Sequence, residues 1–207
     1  MTVAKRERAA LVETLRAVDA DAPTLCEGWT ARDLAAHLVL RERRLDATPG
    51  IALAPLQKYT AKVQDRIAES TPYPELVDKI AGGPPIYSPF VILDPLVNVT
   101  EMFVHHEDVR RAQPGWEPRQ LDSATVAALL RPFPLLSKVA LAKVPARLVL
   151  RTDAGRTLAT VGNGPEVVLT GAPEELVLYA FGRDAIRVDF AGDETAVAAA
   201  KTAKRGL

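Results

Sequence analysis

Residues 96–112 read LVNVTEMFVHHEDVRRA, and this stretch decides the fold. Asp94-Pro95 precedes it and Pro114-Gly115 follows it. Asp is a good helix cap and Pro is tolerated at the first helical position, so a helix opens at Asp94-Pro95 and ends near Ala112. Leu96, Val97, Val99, Met102, Phe103 and Val104 make it strongly apolar. A helix of that kind is buried, and any polar stripe on it must find partners. Glu101 and His105 form such a stripe, one turn apart on one face, and Asn98 and Asp108 extend it by three residues each way.

Working outward, the first half of the chain reads as helices. Ala10, Leu11, Leu15 and Val18 give Val3–Val18 a helical spacing. Asp21–Gly28 is a loop with Pro23 and Gly28. Trp29-Thr30-Ala31-Arg32-Asp33-Leu34 is a helix start: Thr30 caps, Asp33 is the acidic partner three residues on, and Trp29 can staple onto Leu34. This second helix should reach Leu45 or Asp46. A third helix spans Leu56–Ala68, a short helical turn spans Pro74–Ile80, and Gly82-Gly83-Pro84-Pro85 breaks the chain.

The pattern changes after Trp116. Ser123–Leu130 and Pro134–Leu141 read as short helices, and residues 146–151, 157–161 and 166–169 as strands. Asp153-Ala154-Gly155 and Gly162-Asn163-Gly164 separate the strands, the latter read as a hairpin turn and not a phosphate loop. Pro173–Phe181 is helical, Ile186–Phe190 a strand and Glu194–Lys204 a helix. The expectation is a mainly α protein: a four-helix bundle over residues 1–120, then a small α+β domain over 121–207.

Bulk properties narrow the function. Of 207 residues, 48% are hydrophobic and 25% charged, as in ordinary soluble globular proteins. Net charge is zero, so nothing supports binding to a nucleic-acid backbone. Lys201, Lys204 and Arg205 read as a solvated tail. The single cysteine, Cys26, excludes an internal disulfide and fits a reducing cytoplasm; by type it is a small packed residue. Arg and Glu precede any apolar run in MTVAKRERAALVETL, so no secretory signal is expected. No stretch approaches the roughly 18 apolar residues of a membrane helix.

The chain has three histidines, His37, His105 and His106. His37 lies among Leu34, Leu38 and Leu40 and can point inward. Helices two and four of a bundle can set one His against a Glu/His pair, and three protein ligands leave an open position on a zinc ion. Two imidazoles and a carboxylate suit zinc, with iron, nickel and manganese open. Asp108 or Asn98 would orient a ligand or a water. Spacing alone also allows a plain surface pair for Glu101 and His105 and a satisfied core histidine at 37; the stronger H-E-x-x-H string is absent. His106 lies about 100° around the helix from His105, which keeps the register with Glu101, so His106 is placed at the surface or behind the ligands. Arg41 and Arg44 would reach an anion at a pocket rim or lie on a solvated face.

Residues 25–40, LCEGWTARDLAAHLVL, carry the W-[ST]-x-x-D-x-x-x-H element, and Glu101, His105 and Asp108 a Glu-x-x-x-His with Asp three residues on. Together they resemble the DinB-like metal-binding bundles, nearest to the actinobacterial mycothiol-dependent maleylpyruvate isomerase family. The resemblance implies His37, Glu101 and His105 as metal ligands, mycothiol as a possible cofactor and a small-molecule substrate. It also implies a small α+β second domain whose arginine, here Arg183 after Gly182, meets an acidic substrate. Where many members carry Arg-Trp between the His and Asp, this chain has His106-Glu107. The function that the resemblance implies is a metal- and thiol-dependent isomerase or S-transferase acting on a small electrophilic or unsaturated acid. The alternatives are a zinc-dependent hydrolase and a non-catalytic metal-binding module.

Overall fold

The computed structural model describes residues 1–51, 53–88 and 98–206. The chain divides into two compact units, Met1–Glu117 and Pro118–Leu207.

The first unit contains helices α1 (Val3–Ala17), α2 (Ala31–Arg43), α3 (Gln57–Ser70), α4 (Tyr73–Ala81) and α5 (Val99–Arg111). α1, α2, α3 and α5 are the four principal helices, and α4 is a short addition packed on α1 and α2. Leu11, Leu15, Leu34, Leu38, Leu76, Ile80 and Met102 form the heart of the core, all fully buried. The start of α2 is as its residues dictate. The Thr30 hydroxyl accepts from the Asp33 amide, and the Asp33 carboxylate accepts from the Thr30 amide at 2.9 Å. α2 stops at Arg43, short of the expected Leu45, because Arg44 leaves helical geometry and the chain enters the 3₁₀ turn Thr48–Ile51. The expected opening at Asp94-Pro95 lies outside the described residues, whereas the expected end near Ala112 is observed.

The loop between α1 and α2 is pinned to α5. The Leu25 amide donates to the Asp108 carbonyl at 3.0 Å, and the Gln113 side chain donates to the Pro23 carbonyl. Cys26 is thereby brought onto α5.

The second unit contains α6 (Ser123–Leu130), α7 (Phe133–Ala140), β1 (Arg147–Thr152), β2 (Thr157–Val161), β3 (Glu166–Gly171), α8 (Pro173–Ala180), β4 (Val188–Gly192) and α9 (Glu194–Thr202). The sheet order is β2-β1-β3-β4. β1 and β2 form the hairpin, turning at Asp153–Gly155. β3 runs parallel to β1 on its other side, so Gly162-Asn163-Gly164 is not a hairpin turn, as its composition suggested, but a crossing beneath the start of β1. Gly162 makes the crossing possible: at φ 84° a Cβ would stand 2.3 Å from the Ala146 carbonyl oxygen. Gly162→Ala should lower stability by at least about 2 kcal/mol, read as a drop in Tm; an unchanged Tm would mean the crossing has room to relax.

Tyr179 anchors this unit, donating its hydroxyl to the Ala200 carbonyl and meeting Phe190 edge-on. Arg205, expected in a solvated tail, instead folds back. Its guanidinium lies 4.4 Å from the Tyr179 ring centre and donates to the carbonyls of Ala200 and Lys201 and to Asp184. Among the described residues no helix is long and apolar enough to cross a membrane.

Candidate metal centre

α5 is buried almost all round, so its polar residues must be answered from neighbouring elements. Glu101 is answered by α2. One oxygen, Oε1, faces His105 Nε2 at 3.2 Å, His37 Nε2 at 3.7 Å and Arg41 Nε at 3.4 Å. His37, Glu101 and His105 offer three donor atoms that all lie within 4.8 Å of one another. The two imidazole rings stand edge-on with centres 5.3 Å apart.

The far side of each ring is also fixed. His105 Nδ1 lies 3.0 Å from Asp108 Oδ2, and Asp108 is completely buried. His37 Nδ1 lies 3.2 Å from Gln64 Oε1 on α3. A carboxylate or amide oxygen at Nδ1 places the proton there and turns the Nε2 lone pair inward, the usual support behind a metal-binding histidine. Trp29 closes one side, its ring 5.0 Å from that of His37. Cys26 donates its thiol to Asp108 at 3.2 Å and sits 4.0 Å from His105 Nδ1. Cys26, His105 and Asp108 also cluster closely enough to hold an ion. We read them as support, because Asp108 already holds the Nδ1 side of His105.

Protonation follows this geometry. Burial opposes charge on Glu101, but hydrogen bonds from His105 and His37 and the Arg41 guanidinium outweigh it and hold the carboxyl well below its ordinary range. Burial opposes charge on His105 as well, yet Asp108, Cys26 and Glu101 raise it well above a free imidazole. Burial prevails at His37, which is lowered. A neutral imidazole, an ionised carboxylate and a second imidazole with its Nδ1 anchored, once a cation displaces the Nε2 proton of His105, form a donor set of the kind that grips a divalent cation.

The remaining candidate residues take different places. Asn98 accepts from Arg41 Nη1 at 2.7 Å. Arg41 is therefore not on a solvated face; it is 4% exposed and turns toward Glu101. Arg44 is half-buried and pairs with Asp46. His106 is not at the surface: its rotation around α5 turns it into α1, where Glu7 and Thr14 each approach a ring nitrogen at 2.8 Å. Arg183 belongs to the second unit, half-buried after α8, and its guanidinium donates to the Phe181 carbonyl. Gln64 escapes the sequence reading, although a signal for it exists. Thr60, Val63, Gln64 and Ala68 share the buried face of α3, so an inward amide is readable from the spacing.

His, Glu and His come from two helices of a helical bundle, and a four-stranded α+β unit follows it in the chain, which is the fold that the two motifs suggested. More particularly, residues 2–83 match the family model described as "Mycothiol maleylpyruvate isomerase N-terminal domain". Over the whole chain, the crystal structure of the mycothiol-dependent maleylpyruvate isomerase is similar at 16% identity and a TM-score of 0.58, covering 91% of this chain and 90% of that one. A histidine-to-alanine variant of that enzyme is similar at 14% identity and a TM-score of 0.59, with the same coverage. No curated protein sequence matches. The family model thus bears out the resemblance over residues 2–83, which contain the first motif, and the solved structures give the fold.

Proposed function

We propose that this chain is a metal-dependent enzyme of the mycothiol-dependent isomerase or thiol S-transferase type, acting on a small electrophilic or unsaturated acid. The carrying observation is the convergence of His37 Nε2 and His105 Nε2 on one oxygen of Glu101, each ring held from behind by Gln64 or Asp108. These three residues would hold one divalent ion, zinc by the chemistry of the donor set. When bound, the ion supplies Lewis acidity that lowers the pKa of a thiol in its open position.

The protein's own groups do the rest. Asp108 and Gln64 keep both imidazoles in the tautomer that points Nε2 inward. Trp29 covers the His37 side of the centre, and burial of both imidazoles strengthens its electrostatics. With an ion held by His37, Glu101 and His105, the chemistry supplied would be a thiol made nucleophilic, able to displace a leaving group from an electrophilic carbon or to add to a conjugated double bond and be eliminated again after rotation. Within the second unit, Arg183 is the residue that the resemblance suggests for an acidic group, since a planar guanidinium can match a carboxylate in a two-pronged fit. A reducing cytoplasm, in which low-molecular-weight thiols stay reduced, is the compartment that this chemistry needs.

Cobalt substitution tests the reading. Mycothiol titrated into the cobalt protein should produce a sulfur-to-cobalt charge-transfer band. A spectrum indifferent to thiol at millimolar concentration, far above typical cofactor Kd values, would remove the transferase reading and leave hydrolysis or a structural metal in its place.

A further inference from the structure

Arg41 sets a permanent positive charge directly against the donor cluster. It lies one turn beyond His37 on α2, is 4% exposed, and sets its Nε 3.4 Å from Glu101 Oε1, the oxygen that both imidazoles face. Asn98, itself fully buried, fixes the guanidinium by accepting from Nη1 at 2.7 Å. A buried arginine in an ordinary salt bridge neutralises its partner. Here the carboxylate is shared, because the same oxygen belongs to the donor set. Glu101 cannot fully satisfy both the guanidinium and a divalent cation.

We infer that Arg41 is a charge-setting residue, which weakens the hold on the metal and makes the occupied centre select an anionic ligand. This rests on the metal-binding reading above. Two neutral imidazoles and one carboxylate leave one positive charge on a divalent centre, and Arg41 adds a second a few ångströms away in a poorly solvated setting. A thiol binding with loss of its proton to solvent offsets that excess, whereas a neutral water does not. Arg41 touches neither substrate nor thiol in this scheme; it acts through Glu101.

Zinc affinity of the metal-free protein, by competition with a chelator, and mycothiol affinity of the cobalt protein at fixed pH test this together. Arg41→Gln removes the charge. It should tighten zinc and weaken mycothiol, each by at least about tenfold, the lower end of what one unit charge contributes at this range. Arg41→Lys keeps the charge and should stay within about threefold of the parent in both. Asn98→Asp adds a negative charge beside the intact arginine and should move both affinities in the direction of Arg41→Gln, which covers the case in which that variant fails to fold. The inference is overturned if zinc and mycothiol affinities fall together in Gln and Lys alike, as a merely structural arginine would produce, or if neither moves. Parent protein that takes up no zinc would instead overturn the metal reading itself, and this inference with it.

Discussion

Purified without a histidine tag, the protein should carry about one equivalent of divalent metal, and His37→Ala or His105→Ala should carry almost none. The expectation comes from the number of ligands. With three protein donors, removing one leaves two and another water-filled position, and metal retention through purification is lost. His106→Ala is the internal control. His106 lies one residue from His105, but its ring is engaged by Glu7 and Thr14 of α1. It should retain metal while losing roughly 1–3 kcal/mol of stability, since Glu7 and Thr14 would each lose a contact to the ring in a buried place. Gln64→Ala and Asp108→Ala should bind metal about 10–100-fold more weakly, the usual effect of losing the group behind a histidine ligand. Metal content by elemental analysis and a chelator titration decide the matter. Parent protein that stays metal-free after zinc loading would sink the assignment.

The contrast between His105 and His106 shows how much of the centre is legible in the sequence. Helical periodicity separates adjacent residues by about 100°, so only one of the two can share a face with Glu101. The same periodicity cannot say where the other points. A polar residue turned away from one site is placed at the surface by default, but α5 is enclosed on nearly every side, and His106 meets α1 instead. Arg41 departs from expectation for a related reason. Its place one turn after His37 is plain, yet whether an arginine near a helix end snorkels out or turns in depends on partners from α5 and its cap, 57 residues away in the case of Asn98.

The sheet divides along the same line. Local turn chemistry locates β1, β2 and the Asp153–Gly155 hairpin, because strand alternation and turn glycines are local signals. The parallel pairing of β3 with β1 is not local. Gly162-Asn163-Gly164 supplies positive φ for either a hairpin or a crossing, and the choice depends on which edge of β1 is left to pair.

Removal of one partner from the Arg8–Glu42 pair should produce the largest stability loss in the bundle, about 3–5 kcal/mol. Arg8 on α1 grips Glu42 on α2 with both terminal nitrogens and donates to the Ile80 carbonyl at the end of α4 at 3.1 Å, so one guanidinium ties three helices. The side chains are 8% and 1% exposed. Arg8→Met leaves a carboxylate in the interior with neither water nor counter-ion, and Glu42→Leu leaves a guanidinium in the same position. The double replacement, Arg8→Met with Glu42→Leu, removes both charges and fills the space with apolar side chains. It should recover most of the loss, because a buried ion pair gains little over a well-packed apolar contact once its desolvation is counted. Urea unfolding of the four proteins gives the coupling directly. Nearly additive losses would show that water reaches the pair in solution and that the helices are held by their leucine core alone.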